Sequence, residues 1–136
     1  MAKRQSVTVL RVRYSETDQM GTFYNSRALE WFECARTDFL RAIGTPYVEM
    51  EARGVMLPLV EAHVEFQGRA VYDDELTLTA TAAMSGKARI RFEIAIRHAD
   101  GAPVACGWTV HAFVDAAGKP LRPPPWFTGA LAGDDA

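Results

Sequence analysis

The 136-residue sequence predicts an α+β domain in which one long helix is wrapped by a curved five-stranded antiparallel sheet, in the order β-α-β-β-β-β. Three observations predict it. One segment has helical spacing of its apolar residues, five have the two-residue alternation of half-buried strands, and the links between the last four strands are short enough to favour antiparallel pairing.

Residues 7–13, VTVLRVR, alternate in character and predict the first strand. A polar, glycine-containing stretch, YSETDQMGTFYN, follows as a loop. Ala28, Phe32, Ala35, Phe39 and Ile43 then recur at intervals of four and three, a single stripe that predicts a helix over 26–43. Asn25 or Ser26 can cap its start through a side-chain oxygen, and Gly44 with Pro46 stops it. Strands follow at 57–67, 75–84, 88–98 and 103–115. Val60, Ala62, Val64 and Phe66 form one face of the first of these, and Cys106, Trp108, Val110, Ala112 and Val114 one face of the last. Gly68, Asp73-Asp74, Ser85-Gly86-Lys87 and Asp100-Gly101 supply the turns between them. One domain over 1–125 is expected, with 126–136 as a flexible C-terminal tail; KPLRPPPWFTGALAGDDA reads as an extended arm with a frayed end. Strand edges left open by a single helix favour self-association to a homodimer or homotetramer.

Composition removes several classes of function. The chain is 49% hydrophobic and 24% charged with net charge -2, which excludes overall disorder. Residues 1–68 hold 8 basic and 9 acidic groups and residues 69–136 hold 7 and 8, so neither half has the basic excess that binds nucleic-acid phosphates. Two cysteines, Cys34 and Cys106, make no disulfide framework and no zinc spacing, and read as free buried thiols. The basic start lacks the apolar run of a signal peptide, and no segment reaches the ~20 apolar residues of a membrane span. A cytoplasmic protein is expected.

The chemistry-bearing residues cluster between the first strand and the helix: Tyr14, Glu16, Asp18, Gly21, Tyr24 and Asn25. First-turn amides of a helix lack acceptors and carry partial positive charge, so they can hold a carbonyl oxygen that becomes negative during acyl transfer. An aspartate facing them could attack that carbonyl or activate water. The spacing alone favours the plainer reading, in which Asp18 does no more than build an Asx turn. Elsewhere, Glu33 and Arg36 are spaced as an intrahelical pair, and His63 and His111 fall on outer or interface positions with no triad or metal spacing.

The stretch VRYSETDQMGTFYNSRALEWFECARTDFLRAIGTPY resembles the signature of hotdog-fold thioesterases of the 4-hydroxybenzoyl-CoA thioesterase-like branch. The matching features are the aromatic strand end Tyr14, the acidic pair Glu16 and Asp18, then Gly21, Tyr24 and Asn25, and the helical Phe32-Glu33 with Arg36. The resemblance continues through LPLVEAHVEFQGRAVYDDELTLTA, SGKARIRFEIAI and KPLRPP. It implies the hotdog fold, dimers that share a continuous sheet, and acyl-CoA thioester hydrolysis. Asp18 matches the catalytic nucleophile or general base, and the Asn25 backbone N–H matches the donor to the thioester carbonyl. Gly21 and Tyr24 match the residues that shape the loop. Lys87 and Arg89 match the segment along the pantetheine and nucleotide path, while Arg91 and Arg97 read as solvated cations of the outer sheet face. Two positions depart from the pattern: Asn25 stands where many members have His, and Ala28 where an aromatic is common. No metal or bound cofactor is implied, coenzyme A being part of the substrate. The rival readings are a non-catalytic protein that binds acyl-CoA or acyl carrier protein, and a hotdog hydratase or dehydratase. The latter needs a histidine near the helix, and residues 1–62 contain none.

Overall fold

A computed structural model describes residues 4–133. Strand β1 (Gln5–Arg11) leads through a short 3-10 turn (Tyr14–Glu16) into the long helix α1 (Arg27–Ala42). The short helix α2 (Tyr47–Ala52) follows, then β2 (Leu59–Phe66), β3 (Glu75–Met84), β4 (Arg89–His98), β5 (Pro103–Ala112) and the terminal helix α3 (Pro125–Ala132). The five strands form one antiparallel sheet in the order β1-β3-β4-β5-β2. This is the hotdog arrangement, with the sheet curled around α1.

The helical stripe packs as its spacing predicts. Ala28, Phe32, Ala35 and Phe39 are fully buried, with Trp31 and Leu40 beside them. They meet Leu76, Leu78 and Ala80 of β3 and Ile90, Phe92, Ile94 and Ile96 of β4, all buried. Phe39 and Phe92 meet edge-to-face at 5.9 Å between centroids, a geometry favoured by the ring quadrupoles. Gly44, at φ +90°, ends α1 in the left-handed conformation. Pro46 then begins α2, whose Met50 is buried. The proline that reads as a stop is also a start, because its fixed φ suits the entry to a helix.

The inward faces of two strands and the form of the C-terminal end are set by packing rather than by apolar alternation. In β1 the inward residues are Ser6, Thr8 and Leu10, which pair with Ala80, Leu78 and Leu76, while Val7 and Val9 lie exposed on the outer face. In β5 the register sets Thr109 against Phe92 and His111 against Ile90, so the core face carries Thr109, His111 and Phe113 rather than the Cys106–Val114 set. The expected extended arm runs only to Pro124. Pro125–Ala132 is helical, with Pro125 at its first turn, and seats a fully buried Phe127 edge-to-face on Phe113 at 5.3 Å. The Arg53 guanidinium covers Trp126 of the same helix at 3.8 Å. Residues 134–136 of the expected tail lie outside the described residues.

The apolar face of β2 is inward but uncovered: Leu59 and Phe66 are half exposed. Cys34 and Cys106 are free, as expected, but neither is buried. No helix among the described residues is long and apolar enough to cross a membrane.

Candidate active site

The loop from Tyr14 to Ser26 is fixed by a buried carboxylate. Glu16 is only 3% exposed. One of its oxygens accepts the Arg13 backbone N–H at 2.6 Å, and the other accepts the Trp31 indole N–H at 2.8 Å and the Arg13 guanidinium at 3.3 Å. Burial alone would raise the Glu16 pKa, but these three donors outweigh it and hold the carboxyl below its ordinary range. The Glu16 carbonyl also accepts the Tyr24 N–H at 2.8 Å, which closes the loop on itself. The acidic pair of the sequence motif is therefore divided in role. Glu16 is an anchor, and Asp18 is left near the surface.

Asp18 is half-buried at the start of a tight turn. Its N–H donates to Thr22 O at 2.9 Å, its C=O accepts the Gly21 N–H at 3.0 Å, and its Oδ1 accepts the Met20 N–H at 2.8 Å. The last bond is the Asx turn. It orients the carboxylate and leaves Oδ2 without a donor among the described residues. Gly21 has φ +81°, a left-handed conformation that favours glycine, and an added Cβ would approach the Arg69 guanidinium at 3.8 Å. Arg69 itself donates to Met20 O at 2.7 Å. Phe23 plugs the far side of the turn against Trp31, at 4.9 Å.

At the start of α1 the Arg27 N–H donates to Tyr24 O at 2.9 Å and the Ala28 N–H to Asn25 O at 3.3 Å. No side chain caps the helix, a correction to the expected Asn25 or Ser26 cap. Ser26 already has helical dihedrals, φ -66° and ψ -19°, whereas a capping side chain needs extended backbone to reach the amides. The N–H groups of Asn25 and Ser26 have no acceptor among the described residues. Tyr24 and Asn25 are exposed, and Tyr14, Met20, Tyr24 and Leu29 surround this region with exposed apolar surface. Lys87 and Arg89 are exposed at the β3–β4 turn and the start of β4.

A second feature lies further along α1. A cavity of about 360 Å³ is lined by Glu33 and Arg36 of α1, Tyr47 of α2, Phe92 of β4 and His111 of β5. Asp18, Gly21, Tyr24 and Asn25 do not line it. His111 is corrected from an outer position to a buried one, 4% exposed. Its Nδ1 lies 3.0 Å from Leu57 O, a pure acceptor, so Nδ1 carries the proton; Nε2 then accepts the Thr109 hydroxyl at 3.0 Å. Burial lowers the His111 pKa most, the Leu57 bond opposes it, and the Arg36 charge lowers it further, to about 4. Arg36 forms no ion pair with Glu33; its Nη1 donates to Thr109 Oγ1 at 3.4 Å. Sequence reading misses Tyr47 and Thr109 here. The available signal is the polar run Glu33, Arg36 and Thr37 beside an apolar stripe, matched by inward-facing polar residues on β5. Cys34, also on α1, has its thiol pKa raised by partial desolvation and by the charges of Glu33 and Asp38, which disfavours a nucleophilic thiolate.

The family model for the thioesterase-like superfamily matches residues 12–131. Among curated proteins, "Putative acyl-CoA thioesterase YneP" of Bacillus subtilis (strain 168) is 40% identical over 58 residues, 43% of this chain and 42% of that protein. The aligned part thus spans less than half of that relative's length. Among solved structures, a hypothetical protein of Thermus thermophilus superposes with a TM-score of 0.89 at 32% identity, covering 98% of this chain and 99% of the other. A DHNA-CoA thioesterase of Staphylococcus aureus superposes with a TM-score of 0.88 at 26% identity, covering 95% and 89%.

Proposed function

This chain belongs to the thioesterase-like superfamily, and from that membership we propose that it hydrolyses an acyl-CoA thioester to a free acid and coenzyme A. The observation that carries the reading is the pairing of an oriented Asp18 carboxylate, one oxygen unengaged, with the acceptor-free amides of Asn25 and Ser26 on the same Glu16-clamped loop. Amides at a helix start stabilise an oxyanion because they are fixed before charge develops and need no reorganisation.

In this reading the thioester carbonyl oxygen lies on the Asn25 N–H. Asp18 Oδ2 either attacks the carbonyl carbon or takes a proton from an attacking water. In the first route the C–S bond breaks, coenzyme A leaves as thiolate, and water hydrolyses the resulting mixed anhydride. In the second, the same bond breaks as the tetrahedral adduct of water collapses. Gly21 and Tyr24 shape the loop, and Lys87 and Arg89 offer cations to the coenzyme A phosphates. The apolar surface at Tyr14, Met20, Tyr24 and Leu29, together with the uncovered face of β2, supports a second copy completing the site. A cytoplasmic homodimer or homotetramer acting without metal or bound cofactor is the form proposed.

Thiol release measured across a panel of acyl-CoAs tests the proposal. Turnover of at least one member with stoichiometric free acid is expected. Tight binding without thiol release would instead identify a non-catalytic acyl-CoA protein.

A further inference from the structure

Buried polar groups normally find partners, yet two donors on the wall of the Arg36 cavity, the Arg36 guanidinium and the Tyr47 hydroxyl, keep protons without acceptors among the described residues. Both ring nitrogens of His111 are engaged, one with Leu57 O and the other with the Thr109 hydroxyl, so the imidazole offers nothing to a guest. Thr109 spends its proton on His111. The Tyr47 oxygen accepts the Leu57 N–H at 3.1 Å, and its own O–H proton has no acceptor among the described residues. Arg36 is half-buried, and its one hydrogen bond is the 3.4 Å contact to Thr109. No carboxylate lies within ion-pairing distance of it among the described residues. A guanidinium has five N–H donors, so several remain unspent. Leu40, Leu57, Leu59 and Phe92 make the rest of the wall apolar apart from Thr37 and the exposed Glu33 carboxylate, which lies beyond ion-pairing distance of Arg36.

Position gives these unspent donors a use. Arg36 is nine residues beyond Arg27, roughly 14 Å down the axis from the helix start at 1.5 Å per residue. With the thioester carbonyl at that start, a tail running along α1 arrives at the cavity with its far end. An apolar wall with a few fixed donors is the usual form of a selective pocket.

We propose that the cavity bounded by Arg36 and Tyr47 holds the distal end of the acyl group and selects tails that end in a hydrogen-bond-accepting oxygen, hydroxyl or carboxylate, over plain hydrocarbon. This rests on the thioesterase reading and adds the substrate class to it. Burial pulls the Arg36 guanidinium below its ordinary pKa range, with Glu33 in partial opposition, so the cation gains from an acceptor that replaces lost water. A hydrocarbon end would leave those donors unpaired, which a site built around them penalises.

The test compares kcat/KM for decanoyl-CoA, ω-hydroxydecanoyl-CoA and sebacoyl-CoA, with a hexanoyl series alongside. At least about tenfold preference for an oxygen-terminated tail is expected in one series. Arg36→Met should bring the ratio close to one, and Tyr47→Phe should lower it without removing the cation. A ratio of one or less in the unaltered protein in both series, or a preference that survives both substitutions, would overturn the inference while leaving hydrolysis standing. Calorimetry with free sebacate, ω-hydroxydecanoate and decanoate reads the same selection without turnover. Should no acyl-CoA be hydrolysed, discrimination among the free acids still supports the cavity assignment, and its absence refutes it.

Discussion

The Glu16 carboxylate accepts the indole N–H of Trp31 at 2.8 Å in a buried contact that joins the loop holding Asp18 to α1. The bond crosses 15 residues of sequence, and it ties the Asp18 loop to the first turns of α1 through the core. Glu16→Gln keeps one acceptor but loses the charge that strengthens all three bonds. A loss of about 1–3 kcal/mol is expected, read as a lower urea midpoint at unchanged slope. Because the folded Glu16 pKa lies below its unfolded value near 4.3, its stabilisation is present above that value and is lost as pH falls through the folded pKa. The variant should lack this acid-side decline.

His111 acts in a separate pH window. Its folded pKa of about 4 lies below the unfolded value near 6.5, so the unfolded chain binds more protons between them. Stability is full above the unfolded pKa and falls as pH drops toward 4, by up to about 3 kcal/mol. His111→Asn retains a donor for Leu57 O without a group that titrates there. Melting temperature against pH should be flatter between 6.5 and 4 in this variant; an unchanged slope would refute the buried neutral imidazole.

Docking of α3 rests on Phe127, which is fully buried against Phe113. Phe127→Ala should destabilise the protein by about 3–5 kcal/mol through lost transfer energy and a residual cavity. Denaturant unfolding checks this, and a change below about 1 kcal/mol would mean that the helix is dispensable to the core.

Much of the fold is legible because apolar spacing and packing agree. The stripe from Ala28 to Phe39 and the alternation of β3 and β4 fall on their core faces because one helix and one sheet must bury each other. The strands whose inward face the sequence leaves open are those whose inward residues are polar. Ser6 and Thr8 on β1, and Thr109 and His111 on β5, face the helix because cross-strand register fixes the face, while Val7, Val9 and Trp108 then point outward. No one-dimensional pattern reports that choice. Pro125-Trp126-Phe127 reads as an arm, since a first-turn proline and a buried phenylalanine resemble loop composition until Phe113 is placed beneath them. At the candidate site, the loop motif was visible in the residues. The division between a buried Glu16 and an accessible Asp18 was not, because it depends on Trp31, a helix turn away from the loop. The Arg36 cavity joins five segments of the chain and leaves only a short polar run as its trace.

Asp18→Asn tests the central claim most directly, because asparagine Oδ1 can still accept the Met20 N–H and so preserves the turn while removing the charge. With the unfolding midpoint and oligomeric state unchanged, kcat for thiol release from the best acyl-CoA is expected to fall at least about a hundredfold. Turnover within about threefold of the unaltered protein would contradict it.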